Sequence, residues 1–226
     1  MSGVKRFLVL FLLIVASSCF AGQVPAGIFD EGEFVVFVPE NLDDSYVYPT
    51  IIGFSPGGRG SDIISTWRSA ATENNCIILG SNVIRNGMDI QKNLITVKAD
   101  IKDKLALKYP IDLNKIVALG SSGGGMAAHL FSFFHPDIIA GVITNVGYIH
   151  ETSLKQSKRY PRGKACAFLA SPTDFNYKLM QQDIKFLEQL KWKCTWLEFE
   201  GGHRMAPEHL RSEALDFVLT SLQPAE

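Results

Sequence analysis

The chain has 226 residues, 46% of them hydrophobic and 20% charged, and its 22 basic and 23 acidic side chains leave a formal charge of −1. That balance carries no basic footprint for nucleic acid or an anionic membrane surface, and the length suits one sizeable core rather than several domains. No repeat, linker or low-complexity stretch interrupts it.

The first 21 residues read as a leader. Lys5 and Arg6 precede an apolar run from Phe7 to Ala16, followed by small residues ending Cys19-Phe20-Ala21. The run is too short for a bilayer, which needs about 20 residues, so an export signal cleaved after Ala21 is expected rather than a transmembrane segment. Ala16-Ser17-Ser18-Cys19 also resembles a lipoprotein box, but lacks the usual leucine three residues before the cysteine; lipidation at Cys19 is the second reading. Cleavage removes Lys5 and Arg6 and no acid, leaving 20 basic and 23 acidic residues, a charge of about −3, on one domain over 22–226. Cys76, Cys166 and Cys194 remain. Three thiols cannot all pair within one molecule, and each lies in an apolar run where burial is the common fate; Cys166 and Cys194 could bridge only if their strands are neighbours.

Glu33 to Val38 and Thr50 to Phe54 read as the first two strands. Ser61 to Glu73 has helical spacing at Ile63, Ile64, Trp67 and Ala70, with Ser61 or Asp62 as cap. Cys76 to Gly80 is a short strand. Asp89 to Lys108 carries Ile90, Leu94, Val97, Ile101 and Leu105 three or four apart, the stripe of a long amphipathic helix. A turn at Asp112 to Asn114 leads into the strand that begins at Lys115, and a helix follows to about Phe134, before Pro136. Strands at Ile139 to Val146, Lys164 to Ala170 and Cys194 to Phe199 alternate with helices at Tyr177 to Leu190 and Pro207 to Leu222. Continuous apolar strands separated by helices predict an α/β fold, a mostly parallel sheet covered on both faces, with functional groups on the loops after the strand carboxyl ends. The 17-residue connection Gly147 to Gly163 leaves no room for a sizeable lid domain.

Between the strand and helix of Lys115 to Leu130, Gly120-Ser121-Ser122-Gly123-Gly124 spells Gly-Xaa-Ser-Xaa-Gly. This pattern places a serine on a strained strand-to-helix corner with its hydroxyl exposed, which makes Ser122 the candidate nucleophile. Glycine-rich turns of this kind also bind dinucleotides and phosphates, but the third glycine of the dinucleotide fingerprint falls wrongly here and no Gly-Lys-Ser/Thr follows. Gly53-Phe54-Ser55-Pro56-Gly57 repeats the pattern after another strand. Pro56 has no N–H to give a developing oxyanion and biases Ser55 toward extended geometry, so Ser55 is rejected.

A serine hydroxyl needs a base, and the base an orienting acid. Of five histidines, His203 alone lies in a glycine turn, Gly201-Gly202-His203, between a strand and a helix; His150 is the alternative, while His129, His135 and His209 read as core or surface residues. Asp174 lies in the loop after the strand Lys164 to Ala170, between serine and histidine in the chain order of α/β-hydrolases. A cap on the helix near Tyr177 is its structural alternative, and Glu198 and Glu200 are rival acids. For the oxyanion, the N–H of Gly123 is one donor, and Gly57, with Gly58 in reserve, supplies the other from Ser55 to Ser61.

These residues resemble the α/β-hydrolases, and within them the secreted feruloyl esterase and polyhydroxyalkanoate depolymerase-like group. The segment Lys115 to Val146 is similar to that group's elbow strand, alanine-rich helix, His-Pro-Asp turn and Ala-Gly-Val strand; Gly201 to His203, followed by Pro207, resembles its histidine loop. Ser55-Pro56 stands where the group has His-Gly. The resemblance implies an exported serine esterase acting through an acyl-enzyme on a small-molecule or polymer-linked ester, with Ser122, Asp174 and His203 as nucleophile, acid and base. No metal or organic cofactor is expected. A non-catalytic scaffold on the same fold and a serine peptidase are the alternatives. Oligomeric state is not legible.

Overall fold

The computed structural model describes residues 25–222 apart from 41, 44, 151–154 and 156–157. The expected leader and Cys19 lie outside the described residues. Eight strands form one sheet: β1 (Gly27–Asp30), β2 (Phe34–Val38), β3 (Tyr48–Phe54), β4 (Ile77–Ser81), β5 (Ile111–Ser121), β6 (Ile139–Asn145), β7 (Ala165–Ala170) and β8 (Lys193–Glu198). Their spatial order is β1-β2-β4-β3-β5-β6-β7-β8. From β4 to β8 every pairing is parallel, whereas β1 with β2 and β2 with β4 are antiparallel.

The strands are apolar on both faces because both faces are covered. Helices α1 (Gly60–Glu73) and α6 (Glu208–Ser221) pack on one side, where Ile63, Trp67, Leu215 and Val218 meet Ile51, Ile78, Leu119 and Ile143. On the other, α2 (Ile90–Asp100), α4 (Gly123–Phe134) and α5 (Tyr177–Gln189) bring Leu94, Phe131 and Met180 against Ile52, Phe54, Leu79 and Phe168. Successive residues such as Ile51 and Ile52 therefore serve opposite cores, as the two-residue period of a strand requires. No lid domain covers the carboxyl edge among the described residues. None of the described helices is long and apolar enough to cross a membrane.

Four local expectations need correction. Phe34–Val38 is the second strand, because Gly27–Asp30 forms a further edge strand whose short sequence turns only alternate side chains toward the protein. The turn expected at Asp112 to Asn114 is a bulge inside β5: Tyr48 pairs with Ile111 and Thr50 with Ile116, so Asp112 to Lys115 stand opposite Pro49 alone, three residues in excess, while Asp112 Oδ1 accepts from Asn114 N at 2.9 Å. The long helix forms but changes winding, with a π-helical turn (Ile101–Leu105) between α2 and α3 (Ala106–Lys108). Its stripe stays buried at Leu94, Val97, Ile101 and Leu105. Finally, Arg59 occupies the N-cap of α1, and Asp62 sits one turn in, where its carboxylate suits the positive helix end and pairs with Arg59 at 2.9 Å.

The strands β7 and β8 are neighbours and set Cys166 opposite Cys194. Both thiols, and that of Cys76, are free. Burial pushes the thiols of Cys76 and Cys194 up to about 12, so none has the thiolate character of a reactive cysteine.

Candidate active site

The strand β5 ends at Ser121 and α4 starts at Gly123, so Ser122 alone makes the corner, at φ 52° and ψ −121°. That is a strained backbone for a residue with a Cβ, at a cost of roughly 1–3 kcal/mol. The flanking glycines make the corner feasible. A Cβ on Gly120 would lie 2.2 Å from the carbonyl carbon of Gly124, and one on Gly124 would lie 1.9 Å from the Phe54 carbonyl oxygen. The Ser122 N–H donates to Asn145 O at 2.9 Å, which ties the corner to the end of β6.

Two further loops converge on this corner from the carboxyl ends of β7 and β8. His203 Nε2 lies 2.9 Å from Ser122 Oγ, and its Nδ1 lies 2.6 Å from Asp174 Oδ2. A carboxylate can only accept, so Nδ1 carries the proton and Nε2 is left as acceptor for the Ser122 hydroxyl. The Asp174 side chain is fully buried and that of His203 is 34% exposed, so the line runs from inside the protein to its surface. Asp174 is not the helix cap of its structural alternative, because Asn176 holds the N-cap of α5 with no side-chain cap bond; Asp174 Oδ1 instead fastens its own turn by accepting from Asn176 N at 2.7 Å while Oδ2 faces the imidazole.

The rivals are elsewhere. Glu198 accepts from Trp196 Nε1 at 2.8 Å and from the Tyr177 hydroxyl, which holds its carboxyl below the usual range. Glu200 is exposed, and His150 lies beside Tyr148 with the ring centroids 6.4 Å apart and tilted by 30°. His129 is fully buried in α4 with neither ring nitrogen hydrogen-bonded, and burial drives its pKa down to about 3; it is a neutral core residue.

Next to the serine corner, where Phe54 at the end of β3 pairs with Gly120, the loop Ser55–Gly60 divides its groups. Ser55 Oγ accepts from Arg59 N at 2.8 Å and Ser55 O from Gly58 N at 3.0 Å. The N–H of Gly58 is thus engaged, whereas that of Gly57 has no partner among the described residues. Gly123 is the first residue of α4, and its N–H has no carbonyl one turn back inside the helix.

Sequence reasoning missed three residues around this site. Asn145 donates to Ser121 Oγ at 3.2 Å and to Arg204 O at 3.0 Å, and accepts from Ala206 N at 2.8 Å, so one amide holds the serine corner and the histidine loop together. A polar residue closing the apolar run IAGVITN was the available signal. Asn86 lies against Gly123, where a Cβ would stand 1.9 Å from Asn86 Oδ1, and its N–H donates to Pro56 O at 3.0 Å. Phe175 stacks on the imidazole of His203. Among the described residues no group of three or more His, Cys, Asp or Glu is arranged to hold a metal.

No family model matches the sequence, and no curated protein does. Solved structures do match. A Bacillus cereus carboxylesterase superposes with a TM-score of 0.64 at 17% identity, over 85% of this chain and 96% of that one. The fluorophosphonate-binding serine hydrolase F of Staphylococcus aureus gives 0.60 at 13%, over 87% and 97%. A ferulic acid esterase gives 0.60 at 14%, over 84% and 90%. The chain has the α/β-hydrolase fold.

Proposed function

We propose that this α/β-hydrolase-fold chain is an exported serine esterase that cleaves carboxylic esters through an acyl-enzyme. What carries the reading is the unbroken hydrogen-bonded line from Ser122 Oγ through His203 to Asp174, at 2.9 and 2.6 Å, on a strained corner. Ser122 Oγ attacks the ester carbonyl carbon as His203 Nε2 takes its proton. Asp174 keeps the ring in the required tautomer and stabilises the imidazolium that forms. The carbonyl oxygen, now an anion, turns toward the N–H groups of Gly123 and Gly57. Collapse breaks the bond to the alcohol oxygen, which leaves with the proton from Nε2. A water then attacks the acyl-serine, gives its proton to Nε2, and the acid departs as Ser122 recovers that proton.

The Ser55-Pro56 loop fits this scheme because its missing N–H falls one residue before the free one at Gly57. An edge without a lid domain suits bulky or polymer-linked esters as well as small ones. Labelling with a fluorophosphonate probe tests the reading directly: wild type takes the label and Ser122→Ala does not. A wild-type protein that refuses the label would be a scaffold on this fold. Export is tested by N-terminal sequencing of the secreted protein, with Gly22 expected first.

A further inference from the structure

One side chain touches the imidazole without a part in the proton path. Phe175 lies with its ring centroid 4.4 Å from that of His203 and the two planes 24° apart, a stacked pair, yet the residue is 75% exposed. One face of the ring is covered by His203 and the rest is bare. Its neighbours on either side are fixed: Asp174 is buried against His203, and Asn176 is buried and donates from Nδ2 to Val146 O at 2.8 Å. An exposed aromatic ring pinned between two buried polar anchors is a preorganised contact surface, because little conformational freedom remains to be lost when something covers it. Met205, two residues beyond His203 in the same loop, is a second exposed apolar side chain.

The proton path decides which half of an ester would lie there. His203 Nε2 must come within hydrogen-bond reach of the oxygen that leaves, so the alcohol half sits on the histidine side of Ser122. The carbonyl oxygen points to Gly123 and Gly57 on the opposite side, and the acyl chain extends from the same carbon, away from the imidazole. We propose that Phe175 is a platform for the alcohol half of the substrate, and that this site favours esters whose alcohol carries a flat apolar group. The proposal rests on the assignment of Ser122 and His203 made above.

The test compares two ester series in wild type, Phe175→Leu and Phe175→Ala. One holds the acyl group constant (ethyl, cyclohexylmethyl and benzyl acetate) and the other holds the alcohol constant (ethyl acetate, ethyl butanoate and ethyl phenylacetate). Melting curves confirm that the exposed substitutions leave the fold intact. The ratio of kcat/KM for benzyl over ethyl acetate is expected to fall about fivefold in Phe175→Ala, chiefly through KM, with Phe175→Leu between. Ratios within the acyl series are expected to stay put. Comparing variants cancels the intrinsic difference between leaving groups. An equal loss on every ester would mean that Phe175 only steadies His203, and a loss confined to the acyl series would put the acyl group on the ring; either overturns the proposal. Fluorophosphonate labelling runs alongside. Labelled proteins with unmoved ratios overturn the platform alone, whereas an unlabelled wild type overturns the esterase reading and the platform with it.

Discussion

The turns Gly53–Gly57 and Gly120–Gly124 share one sequence pattern and leave neighbouring parallel strands at the same level of the sheet, where Phe54 pairs with Gly120. Their serines end in opposite states. Ser55 is buried and spends its oxygen on the N–H of Arg59, so it fastens the start of α1. Ser122 stands at positive φ with its hydroxyl against an imidazole. The difference comes from the next residue, since proline holds the residue before it extended and a glycine leaves it free to take the corner. The two turns also touch, because the Phe54 carbonyl oxygen occupies the space that a side chain on Gly124 would need. One copy of the pattern thus serves as the seat of the other.

The sharpest way to break this comparison is to delete each hydroxyl. Ser122→Ala is expected to lose about 10⁶-fold in kcat and all probe labelling, by analogy with removal of a triad nucleophile. Residual turnover near wild type would transfer the role to another serine. The next largest effect is expected at Asp174→Asn, about 10⁴-fold in kcat, because Asn cannot hold the same imidazole tautomer or stabilise its charge. Asn retains an acceptor for the Asn176 N–H, so the melting temperature should barely move. Kinetics beside Glu198→Gln separate the two carboxylates, and collapse in the glutamate variant instead would relocate the acid to β8.

Contact between the turns predicts a smaller effect of another kind. Gly124→Ala puts a methyl group 1.9 Å from the Phe54 oxygen, and relief of that clash should cost about 1–3 kcal/mol, read as a lower urea midpoint. An unchanged midpoint would show that the turns are independent. Smallest is Ser55→Ala, which leaves the Arg59 N–H without its acceptor and should cost about 1 kcal/mol while the protein still takes the label fully. Loss of labelling with an intact fold would return Ser55 to the chemistry.

Much of this was legible because the signals are local. Ser122, His203 and Asp174 each lie in a loop directly after an apolar strand, and a parallel sheet gathers such loops at one edge. Pro56 discriminated between the serines through covalent geometry alone. What stayed hidden depends on contacts across the sheet. Asn145 is one polar residue at a strand end until its partners 24 and 59 residues away are known. Asn86 and Phe175 lie in polar loops whose paths no periodicity records. The edge strand β1 is only four residues long and alternates between half-buried and exposed positions, a pattern too short to separate from a loop.

The histidine loop from Gly201 to Ala206 belongs to no helix or strand, contains two glycines at positive φ, and is held to the rest of the protein by side-chain hydrogen bonds: Gly202 N–H on Ser171 Oγ, the amide of Asn145, the Arg211 guanidinium on Ala206 O, and the imidazole contacts with Asp174 and Ser122. Such a segment opens at a fraction of the free energy that melts the sheet, so its amides should exchange with deuterium ahead of those in β5 and β6. Each opening carries the imidazole away from a corner that stays folded. Mild warming is therefore expected to lower fluorophosphonate labelling reversibly before the sheet unfolds, and a labelling loss that coincides with global melting would show that the loop and the core open together.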